Sequence, residues 1–258
     1  MRITAVFSHK GGTGKTTTVC NLAAELAALG KRVIVIDADG QRNASDFFGA
    51  ETEGVGTLFD VLTAQEPYYE NLLQKTQIAG VSVLPSSVEL ATVELDRTMS
   101  IDALPLRLGA IRDFCEAVAE DGVADYVLID CPPSFSPMTV AALIAADDVI
   151  VPVSPDKWSV SGLRDVRVSM DGVRRSNHRL KIAGVLLTRM SSSATARDME
   201  TALRQSGYPV FETAIRASHM VSRSTFERKP LRVGAHWTGV AQDYKLLCEE
   251  YMEGVSHE

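Results

Sequence analysis

Short runs of β-branched and aliphatic residues alternate with longer segments of helical period along most of the chain. Ile3–Ser8, Val33–Asp37, Val81–Pro85, Tyr126–Asp130, Asp148–Val153 and Ile182–Thr188 are each five to seven residues long, and their apolar residues are mostly consecutive. Unbroken hydrophobicity of this length means that both faces are covered, which predicts strands of a parallel sheet. Between them, Thr16–Leu29 is rich in Ala and Leu and stops at Gly30, a residue suited to ending a helix. Asp102–Ala119 places Leu104, Leu108, Ile111, Cys115 and Val118 at steps of three or four, the spacing of one helical face. Ser159–Arg175, Ala194–Gln205 and Val240–Met252 are further predicted helices. The alternation implies right-handed crossovers and an α/β fold: a three-layer α/β/α sandwich around a mostly parallel, twisted sheet. With 258 residues, no internal repeat and no Pro- or Ser/Gly-rich linker, residues 1–258 are expected to form one domain.

In such sheets ligands sit beyond the carboxyl ends of the strands, and there the chain places its most informative residues. Lys10-Gly11-Gly12-Thr13-Gly14-Lys15-Thr16-Thr17 follows the first predicted strand and opens the first predicted helix. The general pattern Gly-x-x-x-x-Gly-Lys-Ser/Thr needs glycine at position 9, where this chain has His9. The loop instead fits the deviant Walker A motif, so a P-loop NTPase type of fold is expected. Glycines allow backbone N–H groups to turn in around phosphate oxygens, and the helix N-terminus adds a fixed positive field. On this reading Gly11, Gly12, Thr13 and Gly14 cradle the phosphates of ATP. Lys15 spans the β- and γ-phosphates, Thr16 ligates Mg2+, and Thr17 holds the α-phosphate.

Two predicted strands end in carboxylates, Val35-Ile36-Asp37-Ala38-Asp39 and Leu128-Ile129-Asp130. Carboxylates at neighbouring strand tips can converge on one metal and one water. Asp130 is assigned to magnesium through a water, Asp39 to the attacking water, and Asp37 to the metal shell from behind. The alternative for all three is the capping of the turns that follow. Arg189 and Arg216 are further candidates for nucleotide contact.

Charge is unevenly laid out. Residues 1–163 hold 11 basic and 22 acidic side chains, residues 164–232 hold 14 and 6, and residues 233–258 hold one and five. A strongly basic segment on an acidic body suggests a polyanion-binding face. Arg164, Arg167, Arg174, Arg175, Arg179 and Lys181 cluster within it, around one predicted helix and the strand after it. Four cysteines, at 20, 115, 131 and 248, lack metal-ligand spacing and are expected to pack as small apolar residues. The start resembles no signal peptide, and the acidic end, Cys248 to Glu258, lacks the basic amphipathic pattern of a membrane-surface helix. A cytoplasmic location is expected.

With Lys10, Asp39 and Ile129-Asp130-Cys131-Pro132-Pro133, the chain resembles the ParA/MinD superfamily, and within it the Soj-like ParA partition ATPases. Asp39-Gly40-Gln41-Arg42-Asn43-Ala44 is similar to the family's Asp-Pro-Gln-Gly-Asn-Ala. Leu84-Pro85-Ser86 with Leu90 and Glu94, Gly184–Thr188, and Ile215-Arg216 with Lys229-Pro230-Leu231 are similar to other family segments. The resemblance implies an ATP-dependent homodimer in which Lys10 reaches the partner subunit's nucleotide. It also implies nonspecific DNA binding at the nucleoid in the ATP state, with Arg216, Arg223 and Arg228 near the family's dimer-side basic region as the expected DNA contacts, and hydrolysis stimulated by a centromere-binding ParB-like protein. A related possibility is an ATPase that positions a protein cargo or acts as a nucleotide-dependent switch. Gly40 and Arg42 depart from the family's proline and glycine, which loosens the loop beside Asp39.

Overall fold

The computed structural model describes residues 1–64, 71–90, 107–155 and 159–256. Its strands are β1 (Arg2–Val6), β2 (Val33–Asp37), β3 (Gln74–Lys75), β4 (Val81–Leu84), β5 (Tyr126–Asp130), β6 (Asp148–Val153) and β7 (Lys181–Leu187). They form one seven-stranded sheet in the order β3-β4-β2-β5-β1-β6-β7. Every pairing is parallel except β3 with β4, at the edge. Strands β2, β5 and β6 are buried at every residue, as their unbroken apolar runs require.

The helices cover both faces. On one side α1 (Lys15–Ala28) and α2 (Asn43–Phe48) pack with α10 (Gly239–Ser256), around Leu22, Leu26, Phe47, Tyr244 and Leu247. Tyr251 Oη and Thr4 Oγ1, 2.6 Å apart, tie α10 to β1. The other face carries α3 (Leu58–Thr63), α4 (Ala110–Glu120), α5 (Pro137–Ala145) and α6 (Ser159–Val173). Ile111, Phe114, Cys115 and Val118 of α4 are fully buried, as their spacing predicts, and each larger side chain contributes about 1.5–3 kcal/mol by its burial. The remaining helices are α7 (Ala194–Arg204), α8 (His219–Glu227) and α9 (Leu231–Gly234).

Helix α4 begins later than its periodicity predicts. Leu108 and Gly109 form a turn, and Gly109 caps the helix at Ala110. Residues 102–106 of the predicted helix, and Glu94, lie outside the described residues. All four cysteines are buried and free, which suits the packing role. Among the described residues no helix is long and apolar enough to cross a membrane.

Candidate nucleotide site

The strand order sets the site. β1 lies between β5 and β6, and β5 lies between β1 and β2, so the loop after β1 emerges beside the ends of β2 and β5. Asp130 pairs in register with both Val6 and Asp37, which brings the two buried carboxylates side by side. Gly12 and Gly14 have φ of 74° and 89°, the left-handed region that favours glycine, and Gly14 caps α1. The loop is held from within by the Ser8 and Thr13 hydroxyls, 2.7 Å apart. It is held from β7 by the Thr188 hydroxyl, which donates to the Thr13 carbonyl at 2.8 Å.

Lys15 is buried and donates to the carbonyls of Ser8 (3.3 Å) and Lys10 (3.1 Å). Burial lowers the pKa of its ammonium, opposed by the nearby Asp130, Cys131 and Asp39. Lys10, Gly11 and Gly12 are exposed at the loop's rim, and Thr16 and Thr17 are half-buried at the start of α1.

The three carboxylates differ in state. Asp37 is saturated: Oδ2 accepts from the Ser45 N–H and hydroxyl, both at 2.7 Å, and Oδ1 accepts from the Asp39 N–H at 3.2 Å. Burial raises its pKa to about 6 despite the Ser45 bonds. Through these bonds Asp37 anchors α2 and the 38–45 loop directly beside Asp130. Asp39 Oδ1 accepts from the Gln41 N–H at 2.9 Å, and its other oxygen has no partner among the described residues. Asp130 is fully buried, and among the described residues neither of its oxygens has a partner within hydrogen-bond distance and geometry. Burial and the adjacent Asp37 push its carboxyl well up, opposed by the Thr16 hydroxyl and by Lys15.

A buried carboxylate with both oxygens unmet needs a partner that the described residues do not supply. A hard dication beside Thr16 fits this need. Among the described residues no three His, Cys, Asp or Glu side chains form a metal cage. The remaining ligands would therefore come from phosphate oxygens and water, the usual environment of magnesium.

Arg189 has φ 55° and its Nη1 donates to the Gly12 carbonyl at 3.3 Å, which puts it on the loop. Arg216 is brought next to it by backbone pairing of Met190 with Ile215 and Ala217. Its guanidinium is engaged by Asp243 of α10, with Nε and Nη2 at 2.8 and 2.7 Å. Arg223 pairs with Glu227 at 2.6 Å, and Arg228 pairs with Asp46 of α2. The three expected DNA contacts thus all hold internal ion pairs. On α6, Leu163, Val166, Met170 and Val173 are buried, while Arg164, Arg167 and Val168 face outward. Arg175 and Arg179 are exposed just beyond α6. Arg164, Arg167, Arg175 and Arg179 have no ion partner among the described residues.

The sequence assigns no role to Ser45, and Ser86 and Thr188 stand out there only as parts of family-like segments. Ser86 donates its hydroxyl to the Asp39 carbonyl (2.9 Å), and its backbone N–H donates to Ser45 Oγ (3.0 Å). Arg42 adopts φ 59°, the left-handed conformation that glycine would favour at this family position.

The family model that matches residues 1–182 is described as an AAA domain. The chain is 37% identical to the chromosome partitioning protein ParA of Caulobacter vibrioides, an alignment covering 97% of this chain and 93% of the relative. It is 36% identical to the chromosome-partitioning ATPase Soj of Thermus thermophilus, covering 99% and 97%. Among solved structures it resembles cobyrinic acid a,c-diamide synthase from Mycobacterium smegmatis with a bound ATP analog and magnesium. That likeness has a TM-score of 0.78 at 27% identity and covers 96% of this chain and 93% of the other.

Proposed function

The chain belongs to the ParA/Soj family of P-loop partition ATPases, and from that premise we propose that it is an ATP-switched tether to DNA. The unmet Asp130 carboxylate beside the glycine loop carries the reading, because it calls for the cation that accompanies a nucleoside triphosphate. Magnesium, held through Asp130 and Thr16, would neutralise charge on the phosphates.

The chain's own groups divide the remaining work. Loop N–H groups from Gly11 to Thr17 bind the phosphates, and Arg189 closes the loop from the β7 side. Lys15 exchanges the carbonyls of Ser8 and Lys10 for β- and γ-phosphate oxygens. That exchange gives a desolvated ammonium the anionic partner it lacks. Lys10, exposed at the rim, reaches the nucleotide of a second copy, so ATP closes a homodimer. Asp39 orients the attacking water through its unpaired oxygen, and Asp37 holds the segment that carries Asp39.

In the ATP state the dimer binds duplex DNA without sequence preference, in the cytoplasm at the nucleoid. A centromere-bound ParB-like protein stimulates its slow hydrolysis. Phosphate contacts by arginines give affinity without sequence information. Arg216 is committed to the buried Asp243, and Arg223 and Arg228 must release carboxylates first. Arg164, Arg167, Arg175 and Arg179 need release nothing, and this favours the α6 side as the DNA face.

Charge reversal separates the two faces. Arg164→Glu with Arg167→Glu and Arg175→Glu is expected to lower retention of random duplex DNA at least about tenfold, since each lost phosphate contact removes one released counterion. ATP affinity should stay unchanged. Retention kept in that variant, yet lost on reversing Arg216, Arg223 and Arg228, would move the face to α8.

A further inference from the structure

His9 occupies the position where the general phosphate-loop motif has its first glycine, and its imidazole engages α6 across the fold. Nε2 lies 2.8 Å from Ser169 Oγ, 160 residues further along the chain. Ser169 is buried, and its hydroxyl donates to the Asp165 carbonyl one turn back at 3.0 Å. A carbonyl only accepts, so the single hydroxyl hydrogen of Ser169 is used there and Ser169 accepts from His9. With the Ser169 hydrogen on that carbonyl, the tautomer of His9 that completes the pair is the one protonated on Nε2.

The ring is also packed. It meets Phe7 edge-on with centroids 5.0 Å apart and lies 6.5 Å from Phe135 in the segment that follows Asp130. Phe135 in turn lies over α6, where a methyl group at Gly172 would sit 3.8 Å from its Cζ. Three pieces meet at His9: the entry to the phosphate loop, the exit from β5, and α6.

We propose that His9 is a positioning residue whose bond to Ser169 holds the entry of the phosphate loop against α6, setting the loop's geometry for ATP. Lys10 follows His9 directly, so the main-chain direction of the loop's first residues depends on where this ring is fixed. The bond also gives α6 a mechanical connection to the nucleotide. Neither His9 nor Ser169 is assigned a contact with the phosphates.

The test uses the full chain without DNA, so that its result does not depend on whether the chain binds DNA. ATP affinity and steady-state hydrolysis are measured for Ser169→Ala, His9→Ala, His9→Gln and the double alanine variant. Ser169→Ala and His9→Ala are each expected to weaken ATP about three- to tenfold, the range of one shielded neutral hydrogen bond. The double variant should be no weaker than the worse single one, because both remove the same bond. His9→Gln keeps an N–H donor and should stay within about twofold of the parent. Wild-type affinity in Ser169→Ala, multiplying effects in the double variant, or a His9→Gln as weak as His9→Ala would each overturn the proposal. Each of these outcomes would leave His9 as a space-filling ring only.

Discussion

Replacing Lys15 with alanine is expected to weaken ATP binding at least about 100-fold, the consequence of removing the buried charge opposite the β- and γ-phosphates. The structure gives this loss a control. In the absence of nucleotide the Lys15 ammonium is buried among loop carbonyls, and its pKa is lowered by that burial. Burial thus disfavours the charge that Lys15 bears, while that same charge steadies the buried Asp130, so the two effects of alanine on folding oppose each other. Urea unfolding of the nucleotide-free variant should be little changed, which separates lost binding from lost folding. Tight ATP binding by Lys15→Ala in calorimetry would reject the phosphate-loop assignment.

Asp39→Ala is expected to keep ATP affinity within about threefold of the parent while lowering phosphate release about 100- to 1,000-fold. A positioned carboxylate acting on the attacking water commonly contributes that much. The geometry distinguishes Asp39 from its neighbours. Asp37 spends its oxygens on Ser45 and on the Asp39 backbone, and Asp130 lies deeper, under Thr16 and Lys15. Asp39 alone of the three has one oxygen fixed by the Gln41 N–H and the other without a protein partner among the described residues. The check is a single-turnover measurement with enzyme in excess over ATP. Undiminished release would remove Asp39 from the water-positioning role.

The parts of this fold that were readable in the sequence are those fixed by local pattern. Strands β2, β5 and β6 match their apolar runs end to end, because burial on both faces leaves no polar position to blur the boundary. The phosphate loop was readable because its glycines and lysines occur at fixed spacing between a strand and a helix. Shorter elements were missed. Helix α5 is apolar almost throughout and so has no amphipathic period, although Ser136 before Pro137 is a recognisable helix start: its hydroxyl accepts from the Thr139 N–H. Helices α2, α3, α8 and α9 have four to nine residues, too few for periodicity to register.

Long-range partners were beyond reach for a different reason. The Arg216–Asp243, Arg228–Asp46 and His9–Ser169 pairs join residues 27 to 182 positions apart, and nothing in the local sequence specifies them. The arginine-rich segment was visible as composition. Which of its arginines are already neutralised, and which face solvent without a partner, was decided by tertiary packing. The division of labour among the carboxylates has the same origin. Asp37, Asp39 and Asp130 look alike as strand-end acids, and the hydrogen bonds that Ser45, the Asp39 N–H and the Gln41 N–H make to the first two separate them.

The most direct test of the ATP-switched tether is the binding of random-sequence duplex DNA by the full chain, with ATP and magnesium, with ADP, and without nucleotide, across a salt series. The expected result is tight binding in the ATP state only, with affinity falling linearly in log–log form as salt rises, because arginine–phosphate contacts release counterions. Absence of binding in every nucleotide state, or binding indifferent to nucleotide, would contradict the tether and leave an ATPase whose cargo is something other than DNA.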